Sequence, residues 1–399
     1  MAKEQQQQPL KYSHQTKTPV AIQHESKPST QMMPHATPFA FLQFMKKRWQ
    51  IRINQLKNNA EPTKDEILKT FHFTNVKREH DHTTKWMRQR WTTSCNENHS
   101  TDGEIIFNCG LFRLFGTIEM AQGIQAQLAT ATGGGGWIRL QDLCQLGGAS
   151  NDEIVLENTL VELVVAAAIQ TRKDHGHAFT KAYCLPNYNA EVKTAQGAED
   201  HYRRIAKGAV LSLWRKRDII AQACRDTKKW EKAAAVLSKV KGFGGTGFFT
   251  KEVLLDVMQT RVLCDCVDRN LWTGIGPGAQ RGLDRIYRQD DAKARKKVTG
   301  VGAKVGFLRS CILLFEFCWS KDPQWCTEVD LELSDVQFQL CEFDKYERIR
   351  KKEGGRKRRY VPRCSVIPAS NQMSTHISTE SDKIDCAIKK RDVRFVVNM

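Results

Sequence analysis

Polar side chains that could perform acid–base chemistry and bind phosphate crowd the segment FHFTNVKREHDHTTKW, residues 71–86. Asn75 contributes an amide, Arg78 a guanidinium and Asp81 a carboxylate, and aromatic residues flank them. A carboxylate can accept a proton, and an arginine can neutralise a phosphate group. The same residue types are also typical of a solvated helix start with ordinary ion pairs between residues three or four apart. The segment alone leaves both interpretations open.

A second charged segment, LCEFDKYERIRKKEGGRKRRY, covers residues 340–360. Glu342, Asp344 and Lys345 precede a strongly basic run over residues 348–359. One interpretation is an exposed charged helix followed by a basic loop. Another is acid–base chemistry beside a phosphate-binding strip. The run is also similar to a nuclear localisation cluster.

Four glycines separate two helical patterns in SKVKGFGGTGFFTKEVLLD, residues 238–256. The spacing lacks the G-x-x-x-x-G-K-[ST] pattern of a nucleotide-binding P-loop. It matches a helix–hairpin–helix turn, in which Gly242 and Gly244 would let the backbone approach a DNA phosphate at a helix N-terminus. Thr250 and Lys251 follow in the first turn of the second helix and could add contacts. The alternative is a tight interhelical turn that contacts only protein.

Two aspartates follow this hairpin at a distance that fits a second class of DNA-acting protein. In helix–hairpin–helix DNA glycosylases a catalytic aspartate lies downstream of the hairpin, and Asp265 and Asp268 fall in the matching window. The spacing keeps base excision open as an alternative function.

Metal-binding patterns are weak in this sequence. His80 and His82 form one His-x-His pair and His175 and His177 another, but neither has a third ligand at a known spacing. None of the thirteen cysteines forms a C-x-x-C pair. We therefore expect neither a metal ion nor a cofactor, and we expect free thiols in a reducing compartment.

The elements that must position these side chains are mainly helical. Apolar residues recur at helical spacing from Pro38 onward, and Thr63 with Glu66 has the spacing of a capping box. The best strand-like run is 178–185. We predict a disordered polar leader over residues 1–36, a helical domain over 37–362 and a polar tail over 363–399. Further helical patterns cover 80–91, 104–130, 153–170, 200–224, 228–240, 249–267, 278–288, 304–317 and 335–349.

Charge and hydropathy restrict the partners and the compartment. The net charge is +18 with a pI of about 9.4, which favours a polyanionic partner such as nucleic acid. The N-terminus has no apolar signal sequence, and we find no apolar run near the ~18 residues that span a bilayer. The expected location is the nucleus or the cytoplasm, without a membrane.

Several segments, in this order, resemble one known family: the α-glutamyl/putrescinyl thymine pyrophosphorylases, also described as the helical domain of 5-hydroxymethyl-deoxyuridine DNA kinases. The resemblance covers residues from about 38 to 362. The segments are FAFLQFMKKRWQIR, EPTKDEILKTFHFTNVKREHDHTTKW, FNCGLFRLF, KGFGGTGFFTKEVLLD, GPGAQRGLDRI and LCEFDKYERIR.

The resemblance implies a multi-helical fold related to the helix–hairpin–helix DNA glycosylases. It implies that an amine, from an amino acid or a polyamine, displaces the phosphate or pyrophosphate group of a modified 5-hydroxymethyl-uracil in DNA. The partners would be DNA, the amine and a separate DNA-base kinase, because this chain has no P-loop. The base would be flipped out of the stack or otherwise unpaired.

The resemblance also implies roles for individual residues. A leaving group with several negative charges needs cations, and the attacking amine must lose a proton to a base. Asn75 would contact the uracil edge through its amide. The candidate phosphate-binding residues are Arg78, Arg113 and Lys345. The candidate catalytic carboxylates are Asp81, Asp268, Glu342 and Asp344.

Two positions depart from the family pattern. Gln337 and Phe338 stand where the family usually has Glu-His, and Gly116 stands where Asn is common. These departures keep a catalytically reduced DNA-binding protein of the same fold as an alternative, beside glycosylase-like base excision.

Overall fold

The computed structural model describes residues 36–57, 61–92, 98–132, 136–180, 195–245, 247–287 and 301–353. Helices dominate these ranges and no strand occurs within them, as the fold class predicted from the sequence requires. The predicted tail and nearly all of the predicted leader lie outside the described residues. The α-helices are α1 (Pro38–Leu56), α2 (Glu66–Thr70), α3 (His82–Trp86), α4 (Asp102–Phe115), α5 (Ile118–Thr132), α6 (Leu140–Leu146), α7 (Glu153–His175), α8 (Ala195–Ile205), α9 (Leu211–Thr227), α10 (Trp230–Leu237), α11 (Phe248–Val257), α12 (Pro277–Tyr287), α13 (Val301–Lys321), α14 (Pro323–Val329) and α15 (Leu333–Arg350).

The helices enclose two hydrophobic cores. The middle core is built from α4 to α11 with the segment before them, and Trp91, Phe107 and Trp230 lie inside it. The terminal core joins the N-terminal helices α1 and α2 to the C-terminal helices α12 to α15, around side chains such as Phe41 and Phe343. Because the chain leaves the terminal core and returns to it, loops and helix ends cross the junction between the two cores.

The helix starts follow local capping chemistry, and one predicted cap is wrong. Thr37 caps α1 by accepting from the Ala40 amide at 3.1 Å. The predicted capping box at Thr63 and Glu66 does not form. Asp65 caps α2 instead, because its carboxylate accepts from two backbone amides of the first turn at 3.2 Å each.

Three predicted helices are shorter or more irregular than their apolar pattern. The pattern over 104–130 breaks at Gly116, whose left-handed φ of 65° ends α4. The pattern over 249–267 ends at Val257, and turns follow it. The pattern over 80–91 divides into a 3₁₀ turn, the short helix α3 and a π-helical turn. The strand-like run over 178–185 is irregular where it is described, at its first three residues.

Glycine permits the close approach of α12 to α15 in the terminal core. A Cβ added to Gly282 of α12 would lie 2.3 Å from the carbonyl oxygen of Leu340 in α15. The absence of a side chain at Gly282 therefore lets the two helix backbones touch, and this contact fixes which residues of α12 face α15.

One helix corrects the expectation that no apolar run is long enough to span a bilayer. In the part of the chain that the structure describes, α7 alone has the length and composition of a membrane span, with a mean hydropathy of 1.5 over its most apolar window. Half of that window is buried in the fold. α7 packs against α5, α6 and α8.

Candidate active site at the junction of the two cores

Three of the charged or glycine-rich segments meet at the junction between the two cores. Gln339 of α15 donates to the backbone carbonyl of Asn75 at 2.7 Å. Arg78 donates to Glu252 of α11 at 2.9 Å. The packing of α15 between the loop over 71–81 and the N-terminal half of α11 thus unites segments that lie far apart in sequence. We call this region the junction site.

Arg78 links the buried part of the junction site to its surface. One terminal nitrogen lies 2.6 Å from Asp81, and the other lies 2.9 Å from Glu252. The guanidinium also stacks over the Phe338 ring, 4.7 Å from its centroid. The side chain remains 16% exposed, so an anion from solvent can reach it. The phosphate-binding role of Arg78 stays a prediction.

Asp81 and Asn75 hold each other at the same surface. Asp81 Oδ1 accepts from the Asn75 amide nitrogen at 3.1 Å and from its side-chain Nδ2 at 2.9 Å. Asn75 Nδ2 also donates to the His80 carbonyl, so both of its protons are used. Its Oδ1 accepts no hydrogen bond from the described residues. The amide is therefore oriented, and it offers only an acceptor to a ligand.

Glu342 is the candidate carboxylate whose surroundings fit a proton acceptor best. Burial raises the pKa of this half-buried side chain, and the nearby Asp81 charge adds to the rise. Lys345 is the strongest opposing influence. The Oε2 atom is shielded from solvent and accepts no hydrogen bond within the described ranges. A carboxylate with a raised pKa and an unused oxygen is suited to general base chemistry.

Lys345 lies at the rim beside Glu342. Its ammonium contacts the carbonyl oxygen of His72 and stands 4.6 Å from the centroid of the Phe73 ring. The side chain is partly exposed, as a phosphate-binding role requires. The structure thus brings together five of the candidate residues: Asn75, Arg78, Asp81, Glu342 and Lys345.

A fully buried ion pair lies beneath Arg78. Lys251 Nζ is 2.9 Å from Glu252 Oε1, 2.5 Å from Gln337 Oε1 and 3.8 Å from the Phe338 ring centroid. Burial lowers the pKa of the Lys251 ammonium. Burial alone would raise the pKa of Glu252, but the surrounding cations, led by Lys251, lower it to about 2. The charged pair therefore supports the junction site from the interior. We call it the buried ion pair.

Arg113 belongs to this interior rather than to the surface. Its guanidinium binds both carboxylate oxygens of Asp256 and donates to Thr84 Oγ1 at 3.2 Å. The residue is 1% exposed, so its predicted contact with the leaving group has no direct route. Arg113 instead anchors α4 to α11 under the site.

Lys77, another polar residue of the same loop, is also turned inward. It lies 3.0 Å from Asp335 and donates to the Asp330 carbonyl at 2.5 Å. Desolvation is the largest influence on Asp335 and raises its pKa to about 7. This contact fastens the loop that carries Arg78 and Asp81 to the start of α15.

Two predicted catalytic aspartates have structural partners elsewhere. Asp268 accepts from the backbone amides of Trp230 at 2.8 Å and Glu231 at 3.0 Å, so it caps the start of α10. Asp344 is fully buried and lies within ion-pair distance of three arginines, Arg281, Arg285 and Arg348. Asp265, the other residue in the glycosylase-like window, pairs with Lys228 at the surface.

The glycine hairpin before α11 is divided between surface and interior. Gly244 is exposed, and Gly242 has a φ of 89° that only glycine adopts readily. Thr250 and Lys251, by contrast, are fully buried, and Thr250 Oγ1 donates to the Gly247 carbonyl at 2.8 Å. The glycines leave a backbone surface open to a DNA strand, whereas these two side chains offer none. Contact of Gly242 and Gly244 with DNA stays a prediction.

Two further features of the described residues bear on ligand binding. Among the described residues, no group of three metal-ligating side chains comes together, and desolvation lowers the pKa of His80 to about 4. A cavity of about 250 Å³ opens between α1 and α15, over Phe44 and Phe343, with Lys47 and Arg350 at its edge. None of the residues of the junction site lines this cavity.

Sequence reasoning missed Glu252, the residue that connects Arg78 to Lys251. It lies in the apolar run FFTKEVLLDV, where a charged residue normally marks the solvated face of a helix. Two adjacent charges with apolar residues on both sides were the available signal, because they depart from the pattern of an amphipathic helix.

The fold and the junction site define a mainly helical protein that presents an arginine, a lysine and two carboxylates above the buried ion pair. A family model described as 5-hmdU DNA kinase, helical domain, matches residues 36–137 and 154–356. The chain belongs to this family, as the order of its segments predicted. Membership indicates a role in the metabolism of DNA that carries modified thymine. No curated protein and no solved structure matches the chain.

Proposed function

We propose that the junction site transfers an amine onto a phosphorylated or pyrophosphorylated 5-hydroxymethyl-uracil in DNA. The observation that carries the proposal is the meeting of Glu342, a carboxylate with a raised pKa, with Arg78 and Lys345, two partly exposed cations. The family match supports the modified base, and the amine is what the resemblance to the thymine pyrophosphorylases implies.

The reaction exchanges one bond for another at the exocyclic carbon of the base. The amine nitrogen forms a bond to this carbon as the bond between the carbon and the phosphate oxygen breaks. The departing group keeps the electron pair, and Arg78 and Lys345 stabilise its charge. The proton of the resulting ammonium passes to Glu342. Asp81 holds Arg78 and Asn75 in place rather than accepting the proton.

Asn75 gives the site a way to recognise uracil. Its amide protons are bound to Asp81 and His80, and its free Oδ1 can accept from the imino N–H of uracil. Cytosine has an unprotonated ring nitrogen at the same position. This nitrogen and Asn75 Oδ1 are both acceptors, so they cannot form a hydrogen bond. We therefore assign preference for a uracil ring to Asn75.

The test is a turnover assay on DNA that contains 5-hydroxymethyl-uracil, supplied with a DNA-base kinase activity and candidate amines. Digestion to nucleosides and mass spectrometry should reveal a new, amine-bearing nucleoside. Glu342→Gln should abolish it because the isosteric amide cannot accept the proton. Glu316→Gln, at an exposed position of α13, is the matched control and should retain activity.

The alternatives predict different products. An abasic site would indicate base excision, although the capping role of Asp268 argues against this mechanism. Salt-sensitive DNA binding without any new product would indicate a catalytically reduced DNA-binding protein. Equal turnover by Glu342→Gln and the wild type would contradict the assigned base.

A further inference from the structure

A group of arginines on α12 and α15 includes none of the residues of the junction site and has no part in the reaction above. Its centre is Asp344, whose side chain is fully buried. Arg285 Nε lies 2.7 Å from Asp344 Oδ1, while Arg281 Nε and Arg348 Nε lie 2.9 Å and 3.2 Å from Oδ2. One carboxylate therefore holds three guanidinium groups.

The charges of this group are unequally compensated. Arg285 also binds both oxygens of Glu353, and the neighbouring Arg350 is paired with Glu347. Within the described ranges, Arg281 and Arg348 pair only with Asp344, whose single charge is already divided among three cations. The excess positive charge of the group consequently resides on Arg281 and Arg348.

Both of these arginines keep their terminal nitrogens available. Each contacts Asp344 through Nε, and neither terminal nitrogen of either side chain donates to any residue in the described ranges. Arg281 is 55% exposed and Arg348 is 23% exposed. Two guanidinium groups that share one carboxylate oxygen are held side by side, and paired arginine forks match the oxygens of a phosphate group.

The backbone contact between the two helices makes this arrangement rigid. Gly282, the residue after Arg281, allows α12 to touch α15 at Leu340, one turn before Asp344. The arginines are thus aimed by a close helix crossing and a buried anchor. Exposed surface cations generally lack such an anchor and lose side-chain entropy when they bind.

We propose that Arg281 and Arg348 form a phosphate-binding clamp and that Asp344 is the residue that positions it. The chemistry fits a phosphate of the DNA backbone or a free phosphate or pyrophosphate ion. The DNA source rests on the proposed function only in assuming that DNA is the substrate. Binding needs neither a modified base nor an amine.

The test measures binding of a short unmodified duplex over a series of salt concentrations. Each lost phosphate contact should reduce the slope of log K against log salt by about 1. Arg281→Gln and Arg348→Gln should each show this reduction, and the double variant should show about twice as much. Arg309→Gln, at an exposed position of α13, is the matched control and should keep the wild-type slope.

Two further measurements are needed. One distinguishes a DNA phosphate from a free ion as the ligand, and the other tests whether Asp344 positions the clamp. If pyrophosphate raises the melting temperature of the wild type but not of the double variant, while the DNA slope is unchanged, the clamp binds the free ion. Arg281→Lys, which keeps the charge, should retain the DNA slope, and Asp344→Asn should lower it although Asp344 itself touches no phosphate.

The contrary result is equally defined. Folded single and double variants with the wild-type salt slope and the wild-type response to pyrophosphate would overturn the clamp. Because the assay uses unmodified DNA, absence of amine transfer would leave this result unaffected. Loss of the clamp, in turn, would leave the chemistry assigned to Glu342 unaffected.

Discussion

Glu252→Gln directly tests the buried ion pair, Lys251 and Glu252, beneath the junction site. The substitution keeps the shape of the side chain and removes its charge, so Lys251 loses its only carboxylate partner among the described residues. Lys251 is fully buried and would then keep Gln337 and the rings of Phe248 and Phe338, which carry no compensating charge. We expect a large loss of stability because an uncompensated charge remains in the interior.

The magnitude follows from the pKa of Glu252. A fall from the ordinary value of 4.5 to about 2 corresponds to about 3 kcal/mol of stabilisation of the ionised form. Breaking a buried ion pair by removing one partner typically costs about 3–5 kcal/mol. A loss of this size is a large fraction of the about 5–15 kcal/mol that stabilises a domain.

Urea unfolding at neutral pH, followed by circular dichroism, measures this loss. Glu316→Gln, an exposed substitution of the same kind, should change the free energy of unfolding by less than about 0.5 kcal/mol. Lys251→Met combined with Glu252→Gln removes both charges and should recover part of the loss. A double-mutant cycle should then give a coupling free energy of about 2 kcal/mol.

Two results would refute the reasoning about this pair. One is a free energy of unfolding for Glu252→Gln that equals that of Glu316→Gln. The other is strict additivity of the two substitutions in the cycle. Either would show that Lys251 and Glu252 do not stabilise each other, and it would contradict the supporting role of the buried ion pair.

Three further predictions concern structural roles. Asp268→Ala should lower the free energy of unfolding by about 1 kcal/mol through loss of the cap on α10, while turnover persists; lost turnover at full stability would instead favour a catalytic role. Gly282→Ala should lower the free energy of unfolding by about 1–3 kcal/mol because its Cβ would meet the Leu340 carbonyl. Gly306→Ala, with open space around it, is the control and should be neutral or stabilising. Equal urea midpoints for the two variants would contradict the close crossing of α12 and α15. Because the pKa of Glu252 is lowered, its contribution is present above pH 4.5 and is lost as the pH falls towards 2, so acid titration of stability should show this loss in the wild type and not in Glu252→Gln.

Much of the fold could be predicted from the sequence because helical periodicity survives wherever one face of a helix meets a core. The starts of α1 and α7, and both ends of α15 to within two residues, follow that pattern. The prediction failed at Gly116 and after Val257, where apolar residues continue but the backbone turns. Periodicity reports which residues are buried, and a turn between two buried segments leaves it unchanged.

The candidate site was predictable in part for a similar reason. Asn75, Arg78 and Asp81 lie in one short loop, so local crowding alone identified them. Lys251 was predicted to face DNA because the residues after a glycine hairpin often do. The actual environment of Lys251 depends on α15, which covers the N-terminal half of α11 from a distant part of the chain. No local pattern contains that information.

The buried ion pair determines which carboxylate partner of Arg78 a ligand can displace. Arg78 is shared between Asp81, at the surface, and Glu252, in the interior, and Glu252 is itself neutralised by Lys251. A phosphate that approaches Arg78 would therefore compete chiefly with Asp81, since Glu252 is fully buried. Displacement of Asp81 would also release Asn75, whose amide Asp81 holds. Under the proposed function, phosphate binding and recognition of the base edge would thus be coupled through one carboxylate in a single loop, residues 75–81.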